Sequence, residues 1–453
     1  MKIAVIGGAG VRTVIFINGL LDRYRKLNID EVALFDIDKE KLSVIEKLCK
    51  YVVSRKNEAL KVVYSADSAR EAVTGADYIV TTLRVGGDHS RTMDEEIATK
   101  FGVIGQETTG VGGFSMAVRT IPILFDYCRM FKEVAPNAWI FNFTNPSGLV
   151  TQALKSEGYD RVIGICDAPS SMKFRMANYL GVEEKDLYIE LFGLNHLSWV
   201  RSVKKYGKEI LEDLLNNDAF LKDVQEFKMF DPKLLRYLHM LPNEYLYYYY
   251  HREQALDHML KAPSMRGKTI ETVNRDMFAE LKDMDIDDNP KDALQTFLYY
   301  MEKREQSYMS VETGSASKFV AERGNLEVPD GMGYAGVMLD CIEGMQSDEP
   351  KTLVLSVSNG DCMKCLNPED VVEVTCEVSK KGIIPVKIGD VPEHTRILIE
   401  NIKYYEKKTI EAIKSRSLEK AVDALMLHPL INSYSLAEKL VKAYDEAYGG
   451  LFK

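Results

Sequence analysis

The sequence predicts an α/β protein: a doubly wound parallel sheet over residues 1–170, then an α+β part over residues 171–453. Three observations carry this. Residues 2–7, Lys-Ile-Ala-Val-Ile-Gly, form a short β-branched run closed by glycine, as in a strand buried on both faces. Short apolar runs then alternate with helical patterns to about residue 165, and such alternation gives parallel strands joined by helices. After about residue 170 the alternation stops.

Each early element has its own signal. Gly7-Gly8-Ala9-Gly10 follows the first strand, and a helical run extends from Thr13 to about Leu27. Strand, glycine turn and helix in that order make the phosphate-cradling start of a Rossmann-like fold, in which backbone amides and a helix N-terminus receive a pyrophosphate. Gly7, Gly8 and Gly10 are therefore expected to bind a dinucleotide, although Thr13 stands where the third glycine of that pattern falls. The next strand, Glu31–Asp36, ends in an acid. Asp36 is expected to hold a ribose diol, which favours NAD over NADP. It lies farther from the glycines than the usual distance of about 20 residues, and the polar stretch 22–30 accounts for this. The plainer alternative makes Asp36 the cap of a helix beginning near Lys39.

Further strands read at 61–65, 77–82, 138–143 and 161–165, and helices at 38–55, 67–74, 90–100, 114–134 and 147–156. Ligands of such sheets bind beyond the carboxyl ends of the strands. The order of the chain brings Gly7–Gly10, Asp36, Arg84, Asn142–Asn145 and Cys166-Asp167 to that rim. Beyond it, residues 187–204 suggest antiparallel strands around Gly193-Leu-Asn-His196. The region from 207 to about 310 reads as helices. Residues 331–378 return to alternation, with Asn359-Gly360 as a hairpin signal, and 395–450 are helical.

The composition narrows the class. The chain has 453 residues, 46% hydrophobic and 28% charged, with a formal charge of −10. This is a globular composition without the basic surplus of a nucleic-acid binder. No apolar run reaches the length of about 20 residues a membrane helix needs. Seven cysteines and no leader pattern suggest a reducing, cytoplasmic setting.

Cys166 and His196 are the sharpest chemical candidates. Thiolate and imidazole together suit a borderline divalent transition metal, whereas singly each reads as an ordinary buried side chain. Cys362-Met-Lys-Cys365 has no partner pair at zinc-site spacing and reads as incidental. Arg84, Arg91 and Arg119 are placed so that at least one could grip an anion at the rim. Helical spacing puts Tyr245, Tyr248 and Tyr249 on one face, and one phenol could act as a base if its pKa were lowered. No nucleophile elbow, zinc-protease motif or isolated carboxylate pair is present.

Together, Gly-Gly-Ala-Gly, Arg84-x-Gly-Gly87, Gly105-Gln-Glu-Thr-Thr-Gly-Val-Gly-Gly-Phe114, Asn142-Phe-Thr-Asn-Pro-Ser-Gly148, Cys166-Asp-x-Pro169, Gly193-Leu-Asn-His-Leu197 and Leu427-His-Pro-Leu430 resemble glycoside hydrolase family 4, closest to its 6-phospho-β-glucosidases. The resemblance implies a lactate/malate dehydrogenase-like N-terminal fold and an NAD- and Mn²⁺-dependent glycosidase. It also implies oxidation at C3 of the sugar, removal of the C2 proton, elimination at C1, water addition and return of the hydride. It places the metal on Cys166 and His196, the base on Tyr245 and a sugar contact on Asn145. Asp167 falls where some members carry an acid that assists the leaving group. Arg84 and Arg91 are expected at the 6-phosphate, with Arg12 a lesser candidate. The substrate is then a phosphorylated disaccharide such as cellobiose 6-phosphate, and a homodimer or homotetramer is expected.

Two departures bear on specificity. Gly10, followed by Val11-Arg12, stands where the family's opening motif has serine, and the Cys-Asp-x-Pro form is typical of α-acting members. The alternatives are a 6-phospho-α-glucosidase, an enzyme of the same family acting on unphosphorylated sugars, an NAD-dependent 2-hydroxy acid dehydrogenase, or a non-catalytic sugar-phosphate sensor.

Overall fold

Six short strands form the parallel part of the sheet: β1 (Lys2–Ile6), β2 (Glu31–Phe35), β3 (Lys61–Tyr64), β4 (Tyr78–Thr81), β5 (Trp139–Asn142) and β6 (Val162–Gly164). The computed structural model describes residues 1–64, 68–315, 322–324, 326–329 and 333–452. Ser65 and Asp67, at the expected ends of a strand and a helix, lie outside them, as do residues 331–332. Ile3, Ala4, Ile6, Ile79, Phe141 and Val162 are almost completely buried, which is why these strands read as continuous apolar runs.

The sheet is larger than its parallel part. Its order is β13-β12-β11-β6-β5-β4-β1-β2-β3, where β11 (Lys351–Ser358), β12 (Val371–Ser379) and β13 (Gly382–Pro385) come from the C-terminal part. β11 meets β6 antiparallel at Ser356 and Gly164. A separate small sheet holds β7 (Leu187–Leu194), β8 (Leu197–Lys205), β9 (Lys208–Glu209) and β10 (Leu241–Pro242), ordered β10-β8-β7 with β9 on β8. The β7–β8 hairpin turns at Asn195-His196.

Several expectations are revised. The first helix ends at Leu21, and residues 22–28 continue as turns. The Asn359-Gly360 hairpin is replaced by a longer connection over 359–370 between β11 and β12. Asn359 holds that loop shut: its amide donates to the Met363 and Leu366 carbonyls at 3.0 and 3.1 Å, and its Oδ1 accepts from the Met363 N–H. The Gly110–Val134 helix begins four residues earlier than its apolar pattern suggested. Gly112 and Gly113 serve that early start, because a Cβ there would lie 2.1 Å from the Gln106 carbonyl oxygen and 2.4 Å from that of Thr108. These glycines let the chain approach itself.

Candidate active site

The carboxyl ends of β1 and β2 meet in a tight turn. The Gly7 and Gly8 N–H groups both donate to the Phe35 carbonyl at 2.9 Å. Gly7 has φ +99°, and a Cβ there would sit 2.4 Å from the Thr82 carbonyl oxygen, so only glycine fits. The Thr13–Leu21 helix has no side-chain cap, which leaves N-terminal amides to face an anion. The Asp36 carboxylate accepts from the Ala9 N–H and the Asp38 N–H, both at 3.1 Å. The helix cap is Asp38, which accepts from Lys41 N–H. The capping alternative for Asp36 is thereby removed. This glycine turn with an acid held beside it suits a dinucleotide.

Across the sheet, buried Asn142 organises the loop that carries Asn145. Its Oδ1 accepts from the Thr81 hydroxyl and the Thr144 N–H, and its amide donates to the Thr144 and Ser147 carbonyls. The Thr144 hydroxyl in turn accepts from the Leu83 N–H at 3.0 Å, so the Arg84 loop and the Asn145 loop are tied together.

Cys166 and His196 meet although they follow strands of different sheets. Cys166 Sγ is 3.5 Å from His196 Nε2, and both residues are buried. The other ring nitrogen, Nδ1, is 2.9 Å from the Thr108 hydroxyl, which already donates to Gln106 Oε1 at 2.9 Å. The Thr108 oxygen can then only accept, so Nδ1 carries the imidazole proton and Nε2 presents its lone pair towards the sulfur. A hydrogen-bonded N–H behind a bare ring nitrogen is the arrangement of a metal-binding histidine. Burial pushes the His196 pKa down to about 4, so the ring is neutral near pH 7, and burial and then Glu373 push the Cys166 thiol up. Among the described residues, no group of three or more His, Cys, Asp or Glu side chains could hold a metal. The protein offers this two-residue donor set.

Tyr245 lies flat against His196. Strand pairing puts it there: β10 pairs with Val200 and Trp199 of β8, and Asn243 then caps a short 3₁₀ turn at Glu244–Leu246. The tyrosine tract is therefore not one helical face. Tyr248 donates to Glu312, and Tyr249 faces His428. The Tyr245 phenol is held well above its ordinary range by burial and then by Cys166, while a hydrogen bond with the Tyr308 hydroxyl works the other way. Tyr308 also lies 3.2 Å from Glu244, whose pKa burial and then Glu226 push up to about 8.

An arginine cluster flanks these residues. Arg84 and Arg91 each place a guanidinium nitrogen 2.8 Å from Glu107. Burial opposes the Glu107 charge, but Arg91 and Arg84 hold its carboxylate well below the usual range. Arg304, half-buried, is pushed down to about 9 by desolvation and by Arg12, Arg84 and Arg91. Arg304 was not singled out in the sequence, where it is one more basic residue in a helix; only folding brings it to Arg84. Arg119 lies elsewhere, 2.6 Å from Asp94. Arg12 is 2.5 Å from Asp167, beside Cys166. Cys362 donates to the Val386 carbonyl, and all seven cysteines are free.

The family 4 glycosyl hydrolase model matches residues 2–182, and the model of that family's C-terminal domain matches residues 191–431. The chain belongs to this family. It is 30% identical over 456 residues to the 6-phospho-beta-glucosidase of Escherichia coli (strain K12), covering 98% of this chain and 94% of that protein. The 6-phospho-beta glucosidase of Thermotoga maritima, solved with manganese, NAD+ and glucose-6-phosphate, is 29% identical with a TM-score of 0.82, covering 99% of this chain and 98% of that one. The 6-phospho-alpha-glucosidase of Leptotrichia buccalis is 27% identical over 98% of this chain and 97% of its own. Among the described residues, no helix is long and apolar enough to cross a membrane.

Proposed function

We propose that this family 4 hydrolase cleaves 6-phospho-β-glucosides with NAD and a divalent cation such as Mn²⁺. The observation that carries the reading is the convergence of Cys166, His196 and Tyr245 beside an arginine cluster and a dinucleotide turn. The glycine turn at Gly7–Gly10 and Asp36 bind NAD, with Arg84 at the edge of that site. NAD supplies a hydride acceptor when bound. Cys166 and His196 would hold the cation. When bound, the cation would supply Lewis acidity. Arg84 and Arg91, with Arg304 behind them, receive the 6-phosphate, and Asn145 contacts the sugar. The Tyr245 phenolate would take the C2 proton as the aglycone departs from C1; water would then add at C1 with a proton returned to C2, and the hydride lent to NAD would return to C3, so that no net NADH forms.

A second reading, 6-phospho-α-glucoside cleavage, is favoured by Asp167, whose carboxylate stands beside Cys166 in an ion pair with Arg12. Asp167 would assist the leaving group in that reading. The seven free cysteines support a reducing, cytoplasmic location. Exposed Ile397 and Tyr434 on the C-terminal helices, and Leu427 just after one of them, are compatible with a homodimer or homotetramer.

The test follows nitrophenolate release and NADH absorbance together, using nitrophenyl β-glucoside 6-phosphate with NAD, Mn²⁺ and a thiol reductant. Release that needs both additives, without stoichiometric NADH, is the expected result. Steady NADH accumulation would overturn the reading in favour of a dehydrogenase. Reaction with the α-linked compound alone would reverse the anomeric assignment.

A further inference from the structure

A buried carboxyl on the far side of the hairpin turn has no place in the chemistry above. Glu373, on β12, is 2% exposed. Its two oxygens accept from the side chains on either side of His196: Asn195 Nδ2 at 2.9 Å and Ser198 Oγ at 3.1 Å. Asn195 also accepts from the Gly148 N–H at 3.3 Å, at the start of the helix that follows the Asn145 loop. Two residues along the same face of β12, Thr375 accepts from the Leu191 N–H at 2.9 Å and donates to the Ile189 carbonyl at 3.0 Å. β12 is thus fastened along β7, and Glu373 grips the tip of the hairpin.

That tip needs holding. His196 has φ +63°, in the left-handed region where residues other than glycine are uncommon. Burying a carboxyl is costly unless its hydrogen bonds are made, and here each oxygen has a donor. We infer that Glu373 is a positioning residue for the metal site: through Asn195 and Ser198 it fixes the turn that aims His196 Nε2 at Cys166. The inference rests on the reading of Cys166 and His196 as metal ligands. It goes beyond that reading in assigning the orientation of the ligand to a residue of the C-terminal strand.

The test is a Co²⁺ titration of the full-length protein under reducing conditions, read by the near-ultraviolet absorption of a cobalt–thiolate bond, with NAD affinity measured in parallel. Glu373→Ala is expected to bind Co²⁺ 10- to 100-fold more weakly, a typical effect of removing outer-shell support, while NAD affinity is unchanged. Glu373→Gln can accept from Asn195 and donate to a rotated Ser198 hydroxyl. It is expected to restore Co²⁺ affinity to within about threefold of the native protein. Native affinity and spectrum in Glu373→Ala would overturn the inference, as would a Glu373→Gln variant as weak as Glu373→Ala, which would make charge rather than positioning the cause. If Glu373→Ala does not fold, Ser198→Ala removes one of the two bonds, and unchanged Co²⁺ affinity there overturns the inference equally. Cys166→Ser and His196→Asn separate the two levels. If neither alters Co²⁺ binding, the metal assignment itself fails; if both abolish it and Glu373 variants do not, only the role of Glu373 fails.

Discussion

The Tyr245 ring stacks on the His196 imidazole, with centroids 3.7 Å apart and planes within 8° of parallel. The stack needs the ring, whereas proton transfer needs the hydroxyl. Tyr245→Phe should therefore keep the site's shape and lose its base. The expected fall in kcat is 10²- to 10⁴-fold, the usual range for a positioned acid–base group. Stability should change by only about 1 kcal/mol, for the hydrogen bond with Tyr308. Steady-state kinetics alongside thermal unfolding checks this, and near-native kcat would remove Tyr245 from the chemistry.

Arg84 is a sharper test of the anion site than Arg91. Arg91 is bonded to both Glu95 and Glu107 and is buried, so its removal would strand two carboxylates. Arg84 is partly exposed and touches Glu107 from the open side. Arg84→Gln should lower kcat/KM for the phosphorylated substrate about 30- to 100-fold through loss of charge-assisted hydrogen bonds. Any activity on the unphosphorylated glucoside should stay nearly unchanged. Equal losses on the two substrates would place the phosphate elsewhere.

The glycine turn separates a steric requirement from a chemical one. Gly7→Ala places a Cβ 2.4 Å from the Thr82 carbonyl oxygen at a positive φ. It should destabilise the protein by several kcal/mol. Gly10 is less constrained: its φ is not in the left-handed region, and the nearest atom to a Cβ there, the Gly7 carbonyl oxygen at 3.2 Å, need give way by only a few tenths of an ångström. Gly10→Ser should fold normally and change NAD affinity by less than about tenfold, as one added or lost hydrogen bond would. Thermal unfolding and NAD titration of the two variants check the contrast.

What could be read from the sequence follows from how local each signal is. β1, β2, β4, β5 and β6 were legible because strands buried on both faces are short apolar runs closed by polar or glycine residues. The addition of β11–β13 to the same sheet was not, because that pairing joins Gly164 to Ser356 and leaves no mark on either run. Asp36 and Asp38 both stood before a helix, and only coordinates reveal which one caps it. Cys166, His196 and Tyr245 stand out in the sequence by residue type and motif. Thr108 and Glu373, which orient His196 from behind and from the side, are ordinary residues in sequence and gain meaning only through contacts across 88 and 175 positions.

His428, which lines a small cavity together with His196 and Tyr405, contributes to the pH dependence of stability. It is 1% exposed, its ring packs edge-on against Tyr405, and its Nδ1 accepts from the Leu430 N–H at 3.1 Å. Burial pushes its pKa from 6.5 down to about 3. Below pH 6.5 the unfolded chain therefore binds a proton that the folded chain refuses. Stability from this group is complete above pH 6.5 and is lost as pH falls towards 3, with a limiting slope of about 1.4 kcal/mol per pH unit. His196, pushed down to about 4, adds a second contribution of the same sign. Glu373, pushed up to about 7, and Glu244 act oppositely, since each folded carboxyl keeps a proton that the unfolded chain releases above pH 4.5. Because these terms are common to both proteins, they cancel when a variant is compared with the native chain. His428→Asn keeps an acceptor for the Leu430 N–H and removes the titrating group. Its unfolding free energy, measured without metal from pH 7.5 to 5, should fall less steeply below pH 6.5 than that of the native chain, by up to one proton's worth of slope. Superimposable pH profiles would mean that His428 titrates alike in the folded and unfolded chains.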